Sequence, residues 1–155
     1  MSLAPLFKWM EGLAVYRSSV YLGPGVNLVH LVSMVTFMGA LLVVDLRLMG
    51  AALTKEPVKD LAQAADPWLI GGLVGLTVTG IPAVMAAATQ EYGSHIFWAK
   101  MYILALAMIF TFTVRRWVTQ ADQVPIGAVK TKIVPFLSIA LWMAVAAGGR
   151  LIMYL

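Results

Sequence analysis

The sequence predicts an all-α fold: an up-and-down bundle of four membrane-spanning helices, preceded by an amphipathic helix lying in the membrane interface. Three observations carry that reading. Of the 155 residues, 61% are hydrophobic and only 12% charged, and the mean hydropathy is +0.88, too apolar for an ordinary soluble domain. The apolar residues gather into four segments, each near the roughly 20 residues that a hydrocarbon core requires. Most of the charged residues gather between these segments.

The first element is a helix over residues 3–20. Leu3, Leu6, Phe7, Met10, Leu13 and Ala14 recur at helical spacing, with Lys8, Glu11 and Gly12 opposite and Trp9 at the flank, the pattern of a helix at the membrane surface. It has no basic region ahead of its apolar part and is interrupted by Lys8, Glu11 and Arg17, so it is expected to be retained and not cleaved as a signal peptide. Gly23-Pro24-Gly25 is expected to end it and redirect the chain. Spans follow at about 26–44, 68–88, 96–114 and 134–154, which leave little chain for a separate soluble domain. Gly71, Gly72, Gly75 and Gly80 in the second span, and Ala144, Ala147, Gly148 and Gly149 in the fourth, allow backbones to approach closely in lipid. Pro82 is expected to bend the second span, with Thr77 and Thr79 helping to satisfy the carbonyl it leaves free.

Arg47, Lys55, Lys59, Arg115, Arg116, Lys130 and Lys132 fall in the two longer connections, whereas Lys8 and Arg17 are the main basic residues on the other side. The positive-inside rule then makes the longer loops cytoplasmic and puts both termini and the 89–95 turn outside. Topology thus accounts for the formal net charge of +4, and no nucleic-acid partner is implied. With no cysteine in the chain, disulfides, thiolate metal sites and thiol catalysis are excluded. No nucleophile–base pair, paired carboxylates or phosphate loop marks a self-contained enzyme.

Alternating the spans brings separate polar residues to one depth. His30, Lys100 and Arg150 each fall within roughly 6 to 8 Å of the outer interface, with Glu91, Tyr92 and His95 just above them. Ionisable residues at such depth are functional candidates. On the first span, Asn27, His30, Met34, Phe37, Met38, Leu41 and Asp45 share an arc of about 100°, which should face the bundle interior and leave Val32, Val35 and Leu42 nearer lipid. Asp45 and Arg47 are expected to form an interfacial charge pair or to contact the next loop.

Three chemistries fit a histidine in this layer. The first is haem b binding for electron transfer, with His30 as axial ligand, His95 (or Met85 or Met101) as the second, and Lys100 and Arg150 at the propionates. The second is copper handling, since His30, Met34 and Met38 offer an imidazole and two thioethers at i, i+4 and i+8. The third is a cofactor-free structural or anchoring subunit, in which the polar layer supplies interhelical hydrogen bonds alone. Lys100 and Arg150 also suit snorkelling, and Met34 and Met38 suit core filling.

"HLVSMVTFMGALLVVDLRLMG", a Pro-Trp opening a span with "TVTG", then "FWAK" and "AGGRLIMYL" resemble a group of small bacterial four-helix membrane proteins of unknown function. More distantly, the chain is similar to copper resistance D membrane domains and cytochrome b561-like bundles. The resemblance covers residues 27–155 and draws attention to His30, Asp45, Arg47, Gly80, Lys100 and Arg150. The chain is expected to be a multi-pass protein of the bacterial inner membrane; the haem reading adds a membrane or periplasmic redox partner, and the small size of the chain suits a homo-oligomer or a subunit of a larger complex. In such relatives a further histidine often lies near the end of the third span, where this chain reads "TFTVRRW".

Overall fold

A computed structural model describes residues 3–12, 22–120 and 130–151. In chain order the elements are α1 (Ala4–Gly12), α2 (Leu22–Leu48), α3 (Val58–Ala86), α4 (Ala88–Tyr92), α5 (His95–Phe110), a π-helical turn (Thr111–Arg115), α6 (Arg116–Gln120) and α7 (Lys130–Leu151). The described residues contain no strand. Four helical stretches are long and apolar enough to cross a membrane: Gly23–Leu48, Val58–Ala86, His95–Gln120 and Lys132–Leu151. They pack against one another as an up-and-down bundle in which α7 lies against both α2 and α5. Val32, Val35, Val74, Val78, Tyr102, Leu106 and Ile109 are all exposed on its flanks. A surface of that composition is stable in hydrocarbon and would aggregate in water.

The core is narrow. Phe37 and Leu41 of α2, Leu69 of α3, Ala107 of α5 and Trp142 of α7 are its buried centre, with the Phe37 and Trp142 ring centroids 4.4 Å apart. The tightest contact joins α2 to α3. A Cβ added at Gly72 would stand 2.7 Å from the Phe37 backbone nitrogen, and one at Gly75 would stand 2.9 Å from Ser33 Cβ and run into its hydroxyl. Neither glycine can gain a side chain without separating the helices. The antiparallel register that follows sets Phe37 beside Gly72, Ser33 beside Gly75 and His30 beside Thr79.

Several boundaries differ from the sequence expectation, each for a local reason. The helix of the second span begins at Val58, ten residues before Trp68, so Pro67 lies inside it and does not open it. Gly23, Pro24 and Gly25 sit in the first turn of α2, where a missing N–H costs no intrahelical bond. Pro82 leaves the carbonyl of Val78 without its intrahelical donor. The threonines do not answer it, because Thr77 donates to the Leu73 carbonyl at 2.9 Å and Thr79 to that of Gly75 at 2.6 Å. The third span continues past Val114, so Arg115 and Arg116, expected in a loop, are helical. α2 closes with Gly50 at φ +75°, while the Gly50 and Ala51 N–H groups bond the Arg47 and Leu46 carbonyls at 3.0 and 2.9 Å. That pairing is a Schellman cap.

The interfacial helix is present as α1, which covers Ala4–Gly12; Leu13, Ala14 and Arg17 of the expected 3–20 helix lie outside the described residues. Leu3, Leu6 and Trp9 are exposed, while Phe7 faces the α3–α5 connection, 5.0 Å from Tyr92 and 6.4–6.5 Å from Phe97 and Trp98 by ring centroids. Glu11, assigned to the polar face, anchors the helix by accepting hydrogen bonds from the Thr89 N–H and hydroxyl.

The α2–α3 crossing generates a stability prediction. Gly72→Ala is expected to cost about 1–3 kcal/mol through overpacking, whereas Gly71→Ala, whose Cβ would meet nothing within 4 Å, should stay within about 0.5 kcal/mol of the parent. Equilibrium unfolding of both variants in detergent checks the contrast, and equal losses would sink it.

Candidate functional site

Each end of the bundle holds a polar cluster, the first built on His30. The His30 Nδ1 lies 2.7 Å from Thr79 Oγ1, and the Thr79 hydroxyl has committed its one proton to the Gly75 carbonyl at 2.6 Å. Towards the imidazole Thr79 therefore accepts, Nδ1 carries the proton, and the Nε2 lone pair is left for another partner. The ring Cε1 is 3.8 Å from where a Cβ on Gly80 would stand, so α3 supplies both the oriented acceptor and the room beside the ring.

Lys100 arrives from α5. Its stem packs on α7, with Cβ 3.4 Å from a Cβ built on Gly148 and Nζ 3.4 Å from one on Gly149. Its ammonium is within electrostatic reach of His30 and of Glu91. Glu91 belongs to α4, between the spans, and burial pushes its carboxyl above the ordinary glutamate value, with the Lys100 charge partly opposing the shift. The expected layer thus unites His30, Lys100 and Glu91. Arg150 follows Gly149 on α7 with an exposed side chain. His95 is the first residue of α5 and is also exposed. On the His30 stripe, Phe37, Leu41 and Asp45 are fully buried, and Met34 is half-buried. Met38 packs on the apolar core. Among the described residues no three or more His, Cys, Asp or Glu side chains gather as a metal site would require.

The second cluster was not anticipated. Asp45, expected to meet Arg47 or a loop at the interface, is 0% exposed and paired with Arg115, whose Nε donates to Oδ1 at 2.8 Å. Arg115 is 4% exposed, and its Nη2 donates to the Leu41 carbonyl at 3.3 Å. The Arg47 Nε instead donates to the Glu56 carbonyl at 2.6 Å, as the loop alternative foresaw. Ser138 of α7 is close enough to act on the Asp45 carboxylate, yet Asp45 Oδ2 and Ser138 Oγ both remain buried without a completed hydrogen bond. One turn on, Trp142 Nε1 donates to Thr111 Oγ1 at 2.9 Å.

A π turn runs through the segment that carries Arg115, where the Arg116 N–H reaches back five residues to the Thr111 carbonyl. Ala107, Thr111 and Arg115, at successive steps of four residues, share one helical face and are all buried. Signals for this cluster did exist in the sequence. Asp45 lies on the same stripe as Phe37 and Leu41, and Ser138 and Trp142 are four apart. Thr111 and Arg115 are likewise four apart.

A family model described as a family of unknown function, DUF6644, matches residues 7–155. The chain belongs to that family. No curated protein and no solved structure matches it.

Breaking the buried pair from one side should be costly, because the remaining charge has no water to return to. Asp45→Asn or Arg115→Met is expected to lose about 3–5 kcal/mol, and the double variant Asp45→Leu/Arg115→Met to recover a large part of it. Unfolding of the three variants in one detergent tests this; additive losses would mean that the two residues do not act as a pair.

Proposed function

We propose that this member of a family of unknown function is a membrane-embedded haem b-binding electron-transfer protein or subunit, with the His30 cluster as its site. The observation that supports the reading is the commitment of His30 Nδ1–H to Thr79, which orients the ring and leaves Nε2 as a ligand atom. A hydrogen bond on the far nitrogen is the usual companion of a metal-ligating imidazole, since it fixes the tautomer and raises ligand basicity. Lys100 beside it, and Arg150 on the adjoining turn of α7, are cations suited to carboxylate groups. The donor set therefore fits a haem b held by one imidazole. His95 is exposed on α5, so the proposal rests on His30 and treats His95 as the second ligand only if α1 and the 89–95 turn rearrange. When bound, the group would supply reversible one-electron chemistry, and the protein's part is to orient the ligand, neutralise the propionates and exclude water.

The same reading takes the lipid bilayer as the environment and a membrane or periplasmic redox protein as electron partner. It sets the His30 end on the outer face of a bacterial inner membrane, following the basic residues of the longer loops. Copper handling by His30, Met34 and Met38 is weaker, because Met38 belongs to the packed core. A cofactor-free anchoring subunit is favoured by a different observation: the Asp45–Arg115 network gives the bundle internal polar specificity with no ligand at all.

Absorbance spectra of the detergent-purified protein, expressed with ample haem and recorded before and after dithionite, test the proposal. Soret and α bands that sharpen on reduction are expected, with His30→Ala losing them and Thr79→Val weakening haem retention about 10- to 100-fold. A haem-free parent overturns the reading. Copper bound at one per chain and lost in Met34→Ala would replace it with the metal alternative, and copurification with a larger complex without any cofactor would favour the anchoring subunit.

A further inference from the structure

The Asp45–Arg115 pair is flanked on its α3 side by a cavity of about 10 Å³, bounded by Asp66, Leu69 and Ile70 of α3 and by Thr111, Phe112, Arg115, Arg116 and Thr119 of the third span. That volume is about what one water molecule requires, and a water is held where two to four polar groups converge. Here they do converge. A guanidinium has five N–H donors, of which the bonds to Asp45 Oδ1 and the Leu41 carbonyl use two. The rest must find acceptors inside a side chain that is 4% exposed, since an unmet donor in hydrocarbon costs several kcal/mol. Thr111 accepts from Trp142 and so retains a hydroxyl proton to give. Thr119 is likewise buried, and the half-buried Asp66 offers a carboxylate on the opposite wall.

We infer that the cavity is a binding site for a single water molecule, which accepts from Arg115 and donates towards Asp66, linking α3 to the buried pair. The result is one polar chain from Asp66 of α3 through the water to Arg115 of the third span and Asp45 of α2. Three of the four spanning helices take part. A water fits better than a cation, because the Arg115 guanidinium forms part of the wall and would repel positive charge. The site lies at the opposite end of the bundle from His30 and is independent of any haem.

Water-to-protein magnetisation transfer in the full-length, isotope-labelled protein in lipid bilayers reads this directly. The Arg115 Cζ and Asp66 Cγ are expected to receive magnetisation from water nearly as early as the exposed Glu56, and the fully buried Phe37 ring late. Asp66→Leu, which removes the carboxylate that the water donates towards, should slow transfer to Arg115 at least twofold while leaving the Trp142 indole signal in place. An Arg115 that polarises no faster than Phe37 in the unmodified protein overturns the inference, whether or not the variant folds. So does an unchanged rate in a folded Asp66→Leu, or an Arg115 signal that shifts when sodium replaces potassium.

Discussion

The close approach of α2 to α3 sets the geometry of both polar clusters. Association of helices in lipid gains nothing from hiding apolar surface, since the alternative solvent is apolar as well. Contact must come from packing, and Gly72 and Gly75 allow the α3 backbone to rest against Phe37 and Ser33. Once that register is set, its consequences run both ways along the pair. One turn beyond Ser33, His30 meets Thr79. In the other direction, the Phe37 face carries Leu41 onto the core with Leu69 and then Asp45 onto Arg115.

The two clusters answer the same constraint differently. Polar groups in hydrocarbon need partners inside the bundle. At the Asp45 end the two charges are spent on each other, and the indole N–H of Trp142 on Thr111. Such a network stabilises a unique arrangement, and what it leaves over, at Asp45 Oδ2 and Ser138 Oγ, is closed inside the bundle. At the His30 end the hydrogen bonding stops half-way: Thr79 satisfies Nδ1, leaving Nε2 beside a lysine, with glycines of α3 and α7 close by. Of the His30 ring nitrogens only Nδ1 has a hydrogen-bond partner among the described residues, and this asymmetry is why the proposed function is assigned to His30 and not to the more deeply buried aspartate.

The membership in a family of unknown function, matched over residues 7–155, leaves the activity to the site chemistry. Of the site, the stripe on α2 was readable at helical spacing, and its interior direction followed from the cost of exposing polar groups to lipid. His30 and Lys100, expected at one depth, come within electrostatic reach of each other. Their partners were not readable. Thr79 was expected to serve Pro82, and only the α2–α3 register shows that it serves His30 instead. Glu11, on the nominally polar face of α1, turned out to anchor that helix at Thr89.

The sequence by itself determined the fold class, the number of spanning helices, the interfacial helix and the inward face of α2, because each follows from hydropathy and helical period and neither depends on a distant residue. The tertiary structure decided which polar groups meet. Asp45 and Arg115 are 70 residues apart, and their pairing depends on how two separate helices meet. Helical period gives the face on which each residue lies, but not which residue of another helix stands opposite it, and a charge is held inside the bundle only where its partner arrives at the same place.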